Sequence, residues 1–152
     1  MPSVYEKYRL KPVINASGRM TILGVSTPEQ EVVDAVNFGL GHYFEVKDLV
    51  NKTGAYLADL LGVEDAVVVS CASAGIAQSV AAVIVRGDPY RLEQLHAHAH
   101  DVPSDIVLPK GHNVNFGAPV GTMVNLGGGR VVEAGYANEC SPAQLAAAIN
   151  AN

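Results

Sequence analysis

The chain has 152 residues, 49% of them hydrophobic and 16% charged, with a mean hydropathy of +0.19. That is one domain's worth of sequence, apolar enough to build a core and too weakly charged to stay disordered. Fifteen Gly and eight Pro exclude a coiled coil, and a net charge of −5 argues against a binder of nucleic-acid phosphates.

No apolar run approaches the ~20 residues of a membrane span. The polar stretch Tyr5-Glu6-Lys7-Tyr8-Arg9 stands where a signal peptide needs an apolar centre. Cys71 and Cys140 lack the spacing of a disulfide framework or a structural zinc site. The expectation is a cytoplasmic α/β protein.

In chain order, residues 10–26 read as a loop broken by Pro12, Gly18 and Gly24. Thr27-Pro28-Glu29-Gln30 reads as a helix start, with Thr27 as cap, Pro28 at the first helical position and Gln30 closing a capping box. Val32, Val33 and Val36 give that helix an apolar stripe, and Gly39 and Gly41 end it. A second helix is expected from about Val46 to Leu61. There Leu49, Val50, Thr53, Leu57, Leu60 and Leu61 recur at three and four, and Gly62 stops it. Both helices are expected to pack on a core.

The β-branched run at 66–70 reads as a buried strand. It leads through the small-residue turn Cys71-Ala72-Ser73-Ala74-Gly75 into a helix at 76–85, stopped by Arg86-Gly87-Asp88-Pro89. Residues 90–104 are ambiguous, weakly helical at 91–95 and followed by His96-Ala97-His98-Ala99-His100. Strands are expected at 105–108 and 130–134, separated by a Gly- and Asn-rich stretch at 111–129. Gly127-Gly128-Gly129 reads as a turn between two strands, since no helix start follows to make a dinucleotide fingerprint. Ser141-Pro142-Ala143-Gln144 repeats the capping pattern and opens a helix expected to be still running at Asn152. The alternation yields three strand candidates where sheets commonly hold about five or six, and a parallel sheet needs cover on both faces. The chain is therefore expected to be the first part of a longer protein.

Three places carry potential chemistry. A strand–turn–helix at 67–78 offers unpaired N–H groups and a partial positive charge to a phosphate, with Ser70 and Ser73 as extra donors. The same spacing suits a plain tight connection. It also nearly matches the G-x-S-x-G elbow of serine hydrolases with Ser73 as nucleophile, although Cys71 stands where that turn needs Gly. The alternating histidines 96, 98 and 100 would line one strand face as metal ligands, or lie on an exposed loop, which the flanking alanines favour. His112 follows Leu108-Pro109-Lys110-Gly111 at the carboxyl end of a strand, where open α/β sheets place ligands; the same position suits a loop histidine satisfied by backbone.

Four segments occur in one order that resembles a known family: Val13-Ile14-Asn15-Ala16-Ser17-Gly18, the Ser70-to-Gly75 turn, Leu108-Pro109-Lys110-Gly111-His112-Asn113, and Val131-Val132-Glu133-Ala134-Gly135. The resemblance is to pyridoxal-phosphate enzymes related to L-seryl-tRNA(Sec) selenium transferase, nearest the D-glucosaminate-6-phosphate ammonia-lyase branch. It covers residues 5–149 but only the N-terminal portion of such an enzyme. It implies a fold-type-I, aspartate-aminotransferase-like architecture with a mainly parallel sheet and covering helices, in a homo-oligomer. Residues 1–45 would form an N-terminal arm and first helix, and 46–152 the first part of the large domain.

By the same resemblance Cys71, Ala72 and Ser73 hold the phosphate of pyridoxal 5'-phosphate, and His112 stacks on its ring. Asn15, Ser17 and Arg19 lie near a phosphorylated amino acid or amino sugar acid, which loses ammonia and water. The family's Schiff-base lysine follows a Ser-Gly-Ala-like stretch, and none of Lys7, Lys11, Lys47, Lys52 and Lys110 does. This chain alone is thus expected to be inactive. Outside this family, the chain is read as a small α/β module that binds a phosphorylated ligand or a partner chain without catalysis.

Overall fold

The structure, a computed structural model, describes residues 2–152. The chain divides into two compact units, Met1–Asn51 and Lys52–Asn152.

In the first unit a short helix α1 (Val4–Tyr8) is held by a full capping box: Ser3 Oγ accepts from the Glu6 N–H at 3.2 Å, and the Ser3 N–H donates to Glu6 Oε2 at 2.7 Å. The loop after it closes on itself at Met20 and Val25, which exchange backbone hydrogen bonds of 3.3 and 2.8 Å around a 3₁₀ turn at Thr21–Leu23. Helix α2 (Gln30–Leu40) starts two residues later than the capping pattern at Thr27 implies. Pro28 and Glu29 stay outside it, and the Gln30 side chain reaches forward to Asp34 Oδ1 (2.9 Å) instead of back to Thr27. Gly39 lies inside the helix, and Gly41 caps it. The expected apolar stripe is not packed on a core: Val32 and Val36 are more than half exposed, and none of residues 2–51 is buried.

Helix α3 (Val46–Leu61) has the extent its periodicity predicts, but its core contribution is small, with only Gly54 and Ala58 buried. Gly54 is there for close approach: a Cβ would strike the Ala66 carbonyl. Residues 66–70 run without ladder hydrogen bonds, so the expected strand is absent from the two-stranded sheet. A β-branched run fixes an extended preference, whereas a strand also needs a neighbour to pair with.

The core of the second unit forms where helix α4 (Ala72–Val85) meets helix α6 (Val120–Leu126), around Val80, Ile84 and Val124. Helix α5 (Pro89–His98) follows α4 in the chain, started by Asp88, whose Oδ1 accepts from the Tyr90 N–H at 2.9 Å. Strands β1 (Asp105–Pro109) and β2 (Arg130–Ala134) pair in parallel, Asp105 opposite Arg130 and Pro109 opposite Ala134. Helix α6 joins them as a crossover, so residues 111–129 are not loop throughout. The Gly127-Gly128-Gly129 run accordingly links helix to strand and not strand to strand. Its reason is density: a Cβ on Gly127 would collide with the Ala77 carbonyl, and one on Gly129 would meet Val80, Ile106 and Val124 at 2.7–2.9 Å. The last helix, α7 (Pro142–Ala148), opens with the expected capping box at Ser141 and Gln144 but stops at Ala148. From Ile149 the backbone is extended, and Asn150 is held by its Nδ2 donating to Asp105 Oδ2 at 2.9 Å.

Candidate functional site

The small-residue turn becomes a helix N-terminus. Cys71 is the N-cap of α4, extended at φ −164° and ψ 165°, and Ala72 already begins the helix, four residues ahead of the expectation at Ile76. Val69 supports the turn from behind, since a Cβ on Gly75 would lie 3.3 Å from its Cγ2. Cys71 Sγ accepts from the Ala74 N–H at 3.4 Å. That bond, with those from the Ser70 hydroxyl and the Ser73 N–H, holds the Cys71 thiol below its ordinary range against a smaller opposing effect of burial. The Cys71, Ala72 and Ser73 side chains are exposed. The arrangement can seat an anion on the first N–H groups of a 14-residue helix, the chemistry a cofactor phosphate needs. Ser73 is the second residue of the helix, while Cys71 stands at the apex. No histidine or carboxylate hydrogen-bonds Ser73 among the described residues, so the elbow geometry of a serine nucleophile is not assembled.

His112 ends the 3₁₀ turn Lys110–His112 that follows β1, exposed at the edge of a small cavity of about 200 Å³ shared with Tyr136, Glu139 and Cys140. The turn is tightly held. A Cβ on Gly111 would strike the Ala137 carbonyl. Asn113 Nδ2 donates to Glu133 Oε1 at 2.8 Å, while its Oδ1 accepts from the Gly121 N–H at 2.8 Å. Lys110 is not simply solvated: its Nζ lies 3.9 Å from Glu133 Oε2, a long pair between exposed groups. Asn113 is the residue the spacing analysis passed over, although it adjoins His112 in the third segment of the resemblance.

Asn15, Ser17 and Arg19 fall in the first unit. Asn15 is spent on its own loop, with Nδ2 donating to the Gly18 carbonyl (2.7 Å) and Oδ1 accepting from the Ser17 N–H (3.0 Å). Asn15 and Arg19 line one open cleft with Tyr5, Lys11, Ser26 and Thr27, whereas Ser17 is not among its walls.

The three alternating histidines do not line a strand or a loop. His96 and His98 occupy the last turn of α5, where a spacing of two turns side chains roughly 200° apart, and His100 sits in the following 3₁₀ turn. Each ring nitrogen has a different partner: the Glu93 carbonyl at 3.1 Å, Asp101 Oδ2 at 2.6 Å and Ser104 Oγ at 3.1 Å. Among the described residues no three His, Cys, Asp or Glu side chains form a metal-holding group. The missed signal was Asp88-Pro89, an N-cap and first-turn proline that start α5 and carry it to His98. No helix among the described residues is long and apolar enough to cross a membrane.

No protein-family model matches the sequence. The chain is 45% identical over 149 residues to D-glucosaminate-6-phosphate ammonia lyase of Salmonella typhimurium (strain 14028s / SGSC 2262), a match that takes in 98% of this chain and 40% of that protein. It is 36% identical over 146 residues to 5'-C-glycyluridine monooxygenase-decarboxylase of Streptomyces sp, covering 95% of this chain and 36% of that protein. A solved structure of D-glucosaminate-6-phosphate ammonia-lyase superimposes with a TM-score of 0.90 at 45% identity, over 99% of this chain and 40% of that one. The chain thus spans about two fifths of the relatives it matches. In sequence and in backbone alike, the chain is similar to D-glucosaminate-6-phosphate ammonia lyase over 40% of that protein's length.

Proposed function

We propose that the chain is part of a pyridoxal-phosphate-dependent lyase that eliminates ammonia from a phosphorylated amino sugar acid such as D-glucosaminate 6-phosphate. The observation that carries this reading is the 45% identity to the ammonia lyase over 98% of the chain. The helix start at Cys71 fits the cofactor's phosphate: the Ala72 and Ser73 N–H groups and the Ser73 hydroxyl bind it, and small side chains leave room for its approach. His112, on a turn clamped by Asn113, lies against the ring. Pyridoxal phosphate, when bound, supplies the electron sink that loosens bonds at the amino-bearing carbon. This chain's share is binding and orientation, since none of its five lysines occupies a Schiff-base context.

The test is cofactor content. Ser73→Glu in the full protein places a carboxylate beside the phosphate and should leave mostly cofactor-free enzyme after dialysis, with ammonia release from D-glucosaminate 6-phosphate falling in proportion. Full retention of the cofactor by that variant would sink the assignment. A second reading, oxidative decarboxylation of a glycyl nucleoside, is favoured by the 36% match to the monooxygenase-decarboxylase. Oxygen uptake with 5'-C-glycyluridine, without ammonia release from the sugar acid, would select it.

A further inference from the structure

We propose that Glu133, acting through Asn113, is the positioning residue for His112. What His112 faces rests on the reading above; how it is held rests on the hydrogen bonds around its turn.

The His112 ring makes no hydrogen bond or ion pair among the described residues. Its pose is therefore set by the backbone that carries it, and that backbone is tied on either side of His112 to one carboxylate. Glu133 stands in β2 opposite Leu108 of β1, near the end of the sheet from which the 3₁₀ turn Lys110–His112 departs. Its Oε1 accepts from Asn113 Nδ2 at 2.8 Å, and its Oε2 lies 3.9 Å from Lys110 Nζ. The Lys110 pair is long and exposed, so it contributes little. The bond from Asn113 is short and ends on a charged acceptor, which makes it the stronger of the two.

Asn113 passes the constraint on. Its Oδ1 accepts at 2.8 Å from the Gly121 N–H, in the first turn of α6, where no helical carbonyl is within reach. A carboxylate only accepts and a backbone N–H only donates, so the Asn113 amide has one orientation between them. Gly121 leaves room for it, since a Cβ there would come within 3.2 Å of Asn113 Oδ1. The Asn113 N–H closes back on the Lys110 carbonyl at 3.2 Å, so anchoring the side chain fixes the turn. Strand β2, helix α6 and the 3₁₀ turn thus meet at one amide beside His112. Without Glu133, Asn113 Nδ2 loses its acceptor and the amide is free to rotate away from Gly121.

The experiment exchanges the two groups in the full protein. Asn113→Asp sets two carboxylates against each other, and adding Glu133→Gln restores the bond with amide and carboxylate interchanged. In cofactor-free protein the His112 side-chain NMR signals should move in the single variant and return in the double. In protein loaded with pyridoxal phosphate, the visible circular dichroism per bound cofactor should change by at least half in the single variant. There kcat for ammonia release should fall at least tenfold with KM within threefold of the parent, and the double variant should regain both. Should Asn113→Asp fail to fold, Glu133→Ala against Glu133→Gln makes the same comparison, since only the glutamine keeps an acceptor for Asn113 and should keep the parental signals. Unmoved His112 signals in Asn113→Asp, a double variant no better than the single, or equal signals in the Ala and Gln variants would each overturn the proposal. His112 signals that respond as expected, with cofactor band and kcat at parental values, would overturn the ring reading of His112 and leave Glu133 as its positioning residue.

Discussion

Cys71 shows how one residue can be marked by its sequence and still have its chemistry set by three dimensions. A cysteine between strand and helix signals a tight turn. Only the folded backbone brings the Ala74 N–H, the Ser70 hydroxyl and the Ser73 N–H to one sulfur. These donors favour the thiolate, so the thiol titrates below its ordinary range. Alkylation of Cys71 by iodoacetamide should therefore be half-maximal at a lower pH than for N-acetylcysteine, with Ser70→Ala moving the midpoint upward. Rates followed by mass spectrometry settle it, and a midpoint at or above the free thiol's refutes the hydrogen-bonded arrangement. Gly111 and Asn113 make the same point around His112. Their identities are plain in the sequence, but the close backbone approach and the bond to Glu133 are not.

At the scale of elements, local signals were reliable where the element satisfies itself. Helix α3 and the capping box at Ser141 needed nothing beyond their own residues. The run at 66–70 and helix α6 were misread for opposite reasons. The first has strand propensity without a paired neighbour, and the second hides behind Gly121, which is glycine because a Cβ would crowd Asn113 and Val131 at 3.2 Å. The β1–β2 rung carries a testable charge pair. Asp105, its side chain 7% exposed, accepts from Arg130 Nε at 2.6 Å. This bond first, and Asn150 second, hold its carboxyl below the usual range. A depressed carboxyl contributes stability above its unfolded value of about 3.9, and that contribution is lost as pH falls through the folded value. Arg130→Gln should thus unfold at lower urea than the parent at pH 7, with the gap closing toward pH 2. A gap of equal size at both pH values would show that the pair is not the source.

For the whole molecule the decisive quantity is uncovered surface. Large apolar side chains lie open in both units: none of residues 2–51 is buried, and the second unit leaves Leu60, Leu61, Val67, Val68 and Leu126 more than half exposed. Ile14, Ile22, Leu40 and Phe116 are more than 80% exposed. The isolated 152-residue chain should bind a hydrophobic dye such as ANS under native conditions and associate as its concentration rises. A monodisperse chain that leaves the dye dark would contradict that. Sequence by itself determined the α/β class, the two strands that pair, three helix extents to within a few residues, and the family likeness, because each rests on local pattern or on motif order. The tertiary structure alone decided which extended run finds a partner and where the three histidines point. It also decided that Asn15 braces a loop whose cleft faces Lys11 and Arg19. Pairing, burial and the convergence of charges depend on residues far apart in the chain, and no local pattern carries that information.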